Sequence, residues 1–167
     1  MQKYYKDRLK QPSNPVLGLG SALAGFTYEK SGEYDEALRY KPTAVSVLLA
    51  RGALLEQEGR MREALADLER AVAIAPDDAL AANAYGYLLA NRTGQARKAW
   101  RYVRRAYEIQ PRSAAIQDSV GWALFKLGRV DEARSHLEEA LDRLPDPEIA
   151  SHLADVLWKL GDRDTAT

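Results

Sequence analysis

The sequence predicts an all-α protein, an α-solenoid of antiparallel helix hairpins, on three observations. Glycines fall in register at Gly32, Gly59, Gly94, Gly128 and Gly161, with steps of 27, 35, 34 and 33 residues. Around each, a small residue recurs on the N-terminal side (Gly25, Gly52, Gly86, Gly121, Ala154) and an alanine on the C-terminal side (Ala37, Ala64, Ala99, Ala133, Ala166). In residues 114–147, apolar and small side chains return every three or four positions in two runs, Val120, Gly121, Leu124, Leu127 and then Ala133, Leu137, Ala140, Leu141, Leu144. That period puts one buried face on each of two helices. A four-helix bundle would give no reason for a repeat near 34, whereas hairpins that shield their apolar faces only by stacking do.

Taken in order, residues 1–15 predict a short N-terminal helix or half-repeat, ended by Pro12 and Pro15. Residues 16–44 are a shortened first repeat, with a helix to about Lys30, a turn at Gly32 and a second helix opening at Glu33 or Tyr34. Its proline, Pro42, arrives seven residues earlier than Pro76, Pro111 and Pro145 do in theirs. Two helical turns are missing, so the angular phase is nearly kept. A deletion, a natural variation or a junction between segments of separate origin would each produce this. Repeats two, three and four are residues 45–78, 79–113 and 114–146, and residues 147–167 begin a fifth. In repeats two to four a second alanine follows the first by seven residues (Ala71, Ala106, Ala140). The fifth repeat stops just after Ala166, so the apolar edge of Leu153, Val156, Leu157 and Leu160 is expected to be uncapped and to favour self-association.

Composition narrows the function. The 167 residues carry 24 basic and 24 acidic side chains, 46% hydrophobic content and no cysteine. Zero net charge supplies no global attraction to nucleic acid or an anionic membrane. No apolar run reaches the roughly 18 residues of a membrane span. Disulfides, thiol catalysis and cysteine-based metal sites are excluded. His136 and His152 lie on different repeats, outside any paired ligand spacing. Ser119 sits in Asp-Ser-Val-Gly and not in a nucleophile elbow, and no Gly-rich phosphate loop occurs. The expectation is a non-enzyme without cofactor or metal.

The second helix of repeat three carries Arg97, Lys98, Arg101, Arg104 and Arg105 against Glu108. Its counterparts in repeats two (Glu63, Asp67, Glu69) and four (Asp131, Glu132, Glu138, Glu139, Asp142) are acidic. If second helices pack side by side, these stripes neutralise each other, which argues against nucleic acid as a partner.

At Glu33-Tyr34-Asp35-Glu36-Ala37-Leu38, Arg62-Glu63-Ala64-Leu65 and Val130-Asp131-Glu132-Ala133 the chain resembles the tetratricopeptide repeat (TPR) family, nearly throughout from Leu17 on. The resemblance implies a right-handed superhelix whose first helices line a concave groove and whose second helices form the convex back. It places Asn83, Tyr87, Asn91, Asp118, Trp122, Phe125, Lys126, Ser151, Asp155 and Trp158 at groove positions, with Phe26 earlier and Lys159 beside Trp158. Aromatics there are candidate anchors, with Tyr87, Trp122 and Trp158 foremost. Asn83 and Asn91 can bond a peptide backbone on both its donor and its acceptor sides. Asn83, Asp118 and Asp155 are poor core residues, which favours a groove. A TPR subclass that clamps a C-terminal carboxylate uses basic residues where this chain has Leu49, Asn83, Asp118 and Ser151, so the chain departs from that pattern.

Asn83-Ala84-Tyr85-Gly86-Tyr87, Asp118-Ser119-Val120-Gly121-Trp122 and the segment from His152 to Trp158 also resemble C-terminal repeats of Gram-negative envelope TPR lipoproteins. Members of that family are adaptors, some for carboxyl-terminal processing proteases, which implies a periplasmic, outer-membrane-tethered parent. The resulting expectation is an interaction scaffold that holds a protein or peptide segment in its groove. The alternative is a structural or engineered repeat segment that associates with itself through its ends and takes no groove ligand.

Overall fold

A computed structural model describes residues 27–161, side chains from residue 32 onward. Eight helices and no strands occur among them: α1 (Thr27–Tyr40), α2 (Val45–Gln57), α3 (Met61–Ile74), α4 (Ala79–Arg92), α5 (Ala96–Ile109), α6 (Ala114–Lys126), α7 (Val130–Arg143) and α8 (Pro147–Leu160). The helix expected in residues 1–11, most of the first helix of repeat one, Phe26 and Ala166 lie outside the described residues.

Turn chemistry fixes the boundaries. Gly59, Gly94, Gly128 and Gly161 have φ of 73°, 68°, 80° and 87°. Only glycine enters that region without strain, and it ends each first helix in a left-handed turn. The helices that follow the proline loops are started differently. Asp78 accepts from the amides of Leu80 and Ala81, Ser113 from Ile116 and Asp146 from Glu148, each filling part of the unsatisfied first turn. After two of the glycine turns an arginine secures the first turn instead, Arg60 with Glu63 and Arg129 with Glu132.

Within each hairpin the helices approach at the registered small residue. A Cβ added at Gly52, Gly86 or Gly121 would stand 2.8, 2.7 or 2.6 Å from Leu68, Val103 or Leu137 respectively. Ala64, Ala99 and Ala133 are fully buried opposite them. Three positions beyond each small residue, Leu55, Leu89, Leu124 and Leu157 are buried in the same register. One apolar core runs unbroken from Leu38 to Val156 through every hairpin. The chain is therefore a stack and not a closed centre, with α2·α3, α4·α5 and α6·α7 as hairpins and α8 packed on α7. First helices also pack on one another in succession, α2 on α4, α4 on α6 and α6 on α8. The second helices α3, α5 and α7 come less close and meet through side chains, Lys98 with Glu69 and Tyr107 with His136.

Two expectations are corrected. The turn at Gly32 does not form, because α1 continues through it from Thr27 to Tyr40. Glycine permits a turn but costs only about 1 kcal/mol inside a helix, and no proline follows until Pro42 to enforce a stop. The pairing expected between second helices is found in part. Lys98 of α5 reaches Glu69 of α3, and Arg105 reaches Asp77. The acids of α7 pair mainly with arginines of their own helix and turn: Glu132 with Arg129, Glu138 with Arg134 and Glu139 with Arg143.

Candidate functional site

The succession α4–α6–α8 brings most of the polar and aromatic groove candidates to one seam. At its centre the Asp118 carboxylate lies 2.8 Å from Nδ1 of His152, both side chains buried. With Asp118 ionised, the ring N–H donates to it. Burial pushes the Asp118 carboxyl above its ordinary range; the bond to His152 opposes that, and the nearby charges of Glu148 and Asp146 add to it. The indole of Trp122 stacks on the His152 ring, centroids 4.1 Å apart and planes 19° from parallel. Phe125 stacks on Trp122 at 5.4 Å. Lys126 Nζ stands over the indole at 4.1 Å and lies 6.0 Å from the Phe125 centroid, a cation–π arrangement.

One helix away, the half-buried Tyr87 donates its phenol to Glu148 at 2.5 Å and accepts from Asn91 Nδ2 at 3.4 Å. Burial raises its pKa strongly, and so do the Glu148 bond and the charges of Glu148, Asp118 and Glu56. The phenol therefore stays protonated and remains a donor. Arg92 pairs with Glu56 at 3.2 Å along the same face. Two buried polar atoms here have no partner within the chain, Asn83 Oδ1 and Trp122 Nε1.

The candidates separate into two groups. Asn83, Asp118 and Trp122 are 8, 6 and 5% exposed, so they belong to the packing between repeats and not to an open wall. That corrects the idea that Asn83 and Asp118 are poor core residues. The neighbouring first helix covers them, and His152 meets the charge of Asp118. Tyr87, Asn91 and Phe125 are partly exposed, while Lys126, Ser151, Asp155 and Trp158 are exposed, Trp158 by 57%. Sequence reasoning missed His152 and Glu148 as members of the seam. The signal was available for one of them: Asp118 and His152 are 34 residues apart, one repeat length.

A second polar joint ties the N-terminal end together. Arg51 on α2 grips Asp67 of α3 through two bonds of 2.6 and 2.7 Å and reaches Asp35 of α1 at 2.6 Å. These contacts, the bidentate one first, keep the guanidinium firmly charged. Among the described residues, no group of three or more His, Asp or Glu side chains is arranged to hold a metal, and no helix is long and apolar enough to cross a membrane.

Comparison with known proteins agrees with this architecture. A family model described as "Tetratricopeptide repeat" matches residues 26–167. A TPR repeat-containing protein of Pseudomonas aeruginosa, PA4667, is 37% identical over 159 residues, which are 92% of this chain and 27% of that protein. The chain thus spans about a quarter of that relative's length. Among solved structures, TTC0263, a thermophilic TPR protein of Thermus thermophilus, superposes with a TM-score of 0.73 at 23% identity, covering 84% of this chain and 77% of its own. MamA from Desulfovibrio magneticus gives 0.70 at 19%, covering 85% and 80%. YrrB, described as a TPR protein with an unusual peptide-binding site, gives 0.63 at 20%, covering 84% and 72%. At these identities the structural likeness speaks for the fold alone.

Proposed function

Given that this chain belongs to the tetratricopeptide repeat family, a family of protein-interaction scaffolds, we propose that its first helices hold an extended segment of a protein partner. The observation that carries this reading is the unbroken contact of α2, α4, α6 and α8 along one side, with Tyr87, Asn91, Phe125 and Lys126 still reachable beside a buried polar seam. Such a wall offers rigid aromatic area at low entropic cost. YrrB, which shares the fold, is described by its peptide-binding site, and that is consistent with a similar use here. Ser151, Asp155 and Trp158 of α8 extend the same face toward the C-terminal end. The resemblance to envelope TPR lipoproteins makes the adaptor for an envelope protease or assembly complex the leading biological setting.

The test is a pull-down from bacterial envelope extract with the intact chain beside the Tyr87→Ala and Trp158→Ala variants. Capture of a discrete partner that falls by about tenfold in the Tyr87 variant, about 1.4 kcal/mol, is the expected outcome. Trp122→Ala should cost about 2 kcal/mol or more in affinity if the indole is an anchor. Undiminished capture by folded variants would remove these residues from the site.

A second reading rests on a different observation. Trp158 and Leu144, 57% and 39% exposed, present large apolar area at the C-terminal end of the described array. In this reading that end pairs with another copy of the chain. Sedimentation across a concentration series distinguishes the two, since a mass that stays monomeric removes the second.

A further inference from the structure

The pairing between second helices leaves part of α5 unused. Lys98 turns toward Glu69 of α3 and Arg105 toward Asp77. Arg97, Arg101 and Arg104 stand instead in one outward row, four and three residues apart, and all three are exposed. Among the described residues, no carboxylate pairs with Arg97 or Arg101. Arg104 meets only Glu108 of its own helix, at 3.4 Å, with side chains 60 and 62% exposed. An arginine placed before its glutamate is the weaker order for such a pair. Like charges at these spacings oppose helix formation, so the row is a burden that α5 carries. The neighbouring second helices do not share it. The same register positions hold one arginine, Arg62, in α3 and none in α7.

We infer that this ridge is a second interaction surface, on the second-helix side of the stack, and that it takes an acidic segment of a protein partner. Carboxylates are the complement that removes the repulsion among the guanidiniums, and each can be met through two parallel N–H bonds. The spacing suits a peptide. Arg97 and Arg101 are about 6 Å apart along the helix axis, and alternate side chains of an extended strand are about 7 Å apart. A nucleic acid fits less well. The row is one helix wide, and the adjacent α7 exposes Asp131, Glu138 and Asp142 at the matching positions, which would repel a broad polyanion. Nor are the rings beside the ridge a platform for bases. Trp100 carries Arg129 at 5.3 Å, Tyr102 meets Tyr85 edge-on at 4.8 Å, and Tyr107 meets His136. The ridge shares no residue with the first-helix wall, so a chain occupied on one side keeps the other available.

The probes are fluorescein-labelled decapeptides of alternating Glu and Ser, Gln and Ser, or Lys and Ser, and a thymidine decanucleotide, each titrated by anisotropy with the intact chain. The acidic peptide should bind about tenfold more tightly than the neutral one, and that preference should fade as salt rises from about 20 to about 200 mM. Arg97→Gln combined with Arg101→Gln should weaken binding of the acidic peptide about fivefold. Arg39→Gln combined with Lys41→Gln, which removes the same charge from exposed positions at the end of α1, should change it by less than about twofold. The melting temperature of the α5 double variant should hold or rise, since a repulsion is lost. Equal binding of acidic and neutral peptides would overturn the surface. So would an equal loss in both double variants, which would reduce the effect to net charge. Tighter binding of the oligonucleotide than of the acidic peptide would overturn the choice of partner. A lower melting temperature with unchanged peptide affinity would mean that the row serves the fold alone.

Discussion

Two kinds of joint hold this molecule together, and they differ in what varies along the chain. The joint inside each hairpin is the same object three times: Gly52 against Leu68, Gly86 against Val103, Gly121 against Leu137, each with a buried alanine opposite. The polar contacts among the first helices are not repeated in this way. Asp118 of α6 bonds His152 of α8 and Trp122 stacks on the same ring, while Tyr87 of α4 reaches past α6 to Glu148 of α8. Repeated positions define the scaffold, where any departure is felt as lost packing. Unrepeated positions are where one repeat can be told from the next, and a partner can read only those.

The contrast should show most strongly at a hairpin joint. Gly121→Val should cost about 3 kcal/mol, read as a lower urea midpoint, because the added carbons meet Leu137 and the Ala133 carbonyl. A cost below about 1 kcal/mol would mean that the helices can part there at little expense. Asp118→Ala should come next, at about 2 kcal/mol, since it leaves the buried His152 N–H without its acceptor. A double-mutant cycle with His152→Ala should show a coupling of at least about 1 kcal/mol; independent effects would reduce the pair to mere proximity. Asp78→Ala should lose about 1 kcal/mol, the ordinary value of an N-cap serving two amides. Smallest is a pH effect on the convex side.

Burial lowers the pKa of His136 below its ordinary 6.5, while Glu139 and Glu132 pull it back and Arg129 adds to the lowering. Its ring meets Tyr107 edge-on at 5.5 Å. The folded chain binds this proton less readily than the unfolded one, so stability should decline as pH falls through the region just below 6.5. In His136→Gln the melting temperature should fall less between about pH 7 and about pH 5.5, and identical slopes would show that the fold does not disfavour the charged ring.

Much of the scaffold was legible because its signals are local. A glycine with positive φ can be read from spacing, and Gly59, Gly94, Gly128 and Gly161 all sit where the register put them. Gly32 shows the limit of that reasoning. Its register matched, but the backbone stayed helical, since a turn is also a tertiary event that needs a second helix to fold back against. The seam was harder. Asn83 and Asp118 look like surface residues because polarity is a statement about water, and only the neighbouring first helix decides whether water reaches them. His152 was invisible as a partner of Asp118 as long as each helix was considered by itself. Comparing positions one repeat apart would have found it. The basic stripe of α5 was legible as far as its charge, and Lys98 does pair with Glu69 of α3, but the distance between second helices was not in the sequence.

That distance has a mechanical consequence. Because side chains alone bridge α3, α5 and α7 while the backbones of α2, α4, α6 and α8 come close, the array resembles a leaf spring bound along its inner edge. A change of pitch therefore acts first on the long side chains of the outer edge and last on the close packing of the inner one. Whatever grips the inner edge bears on the contacts that set the curvature of the coil.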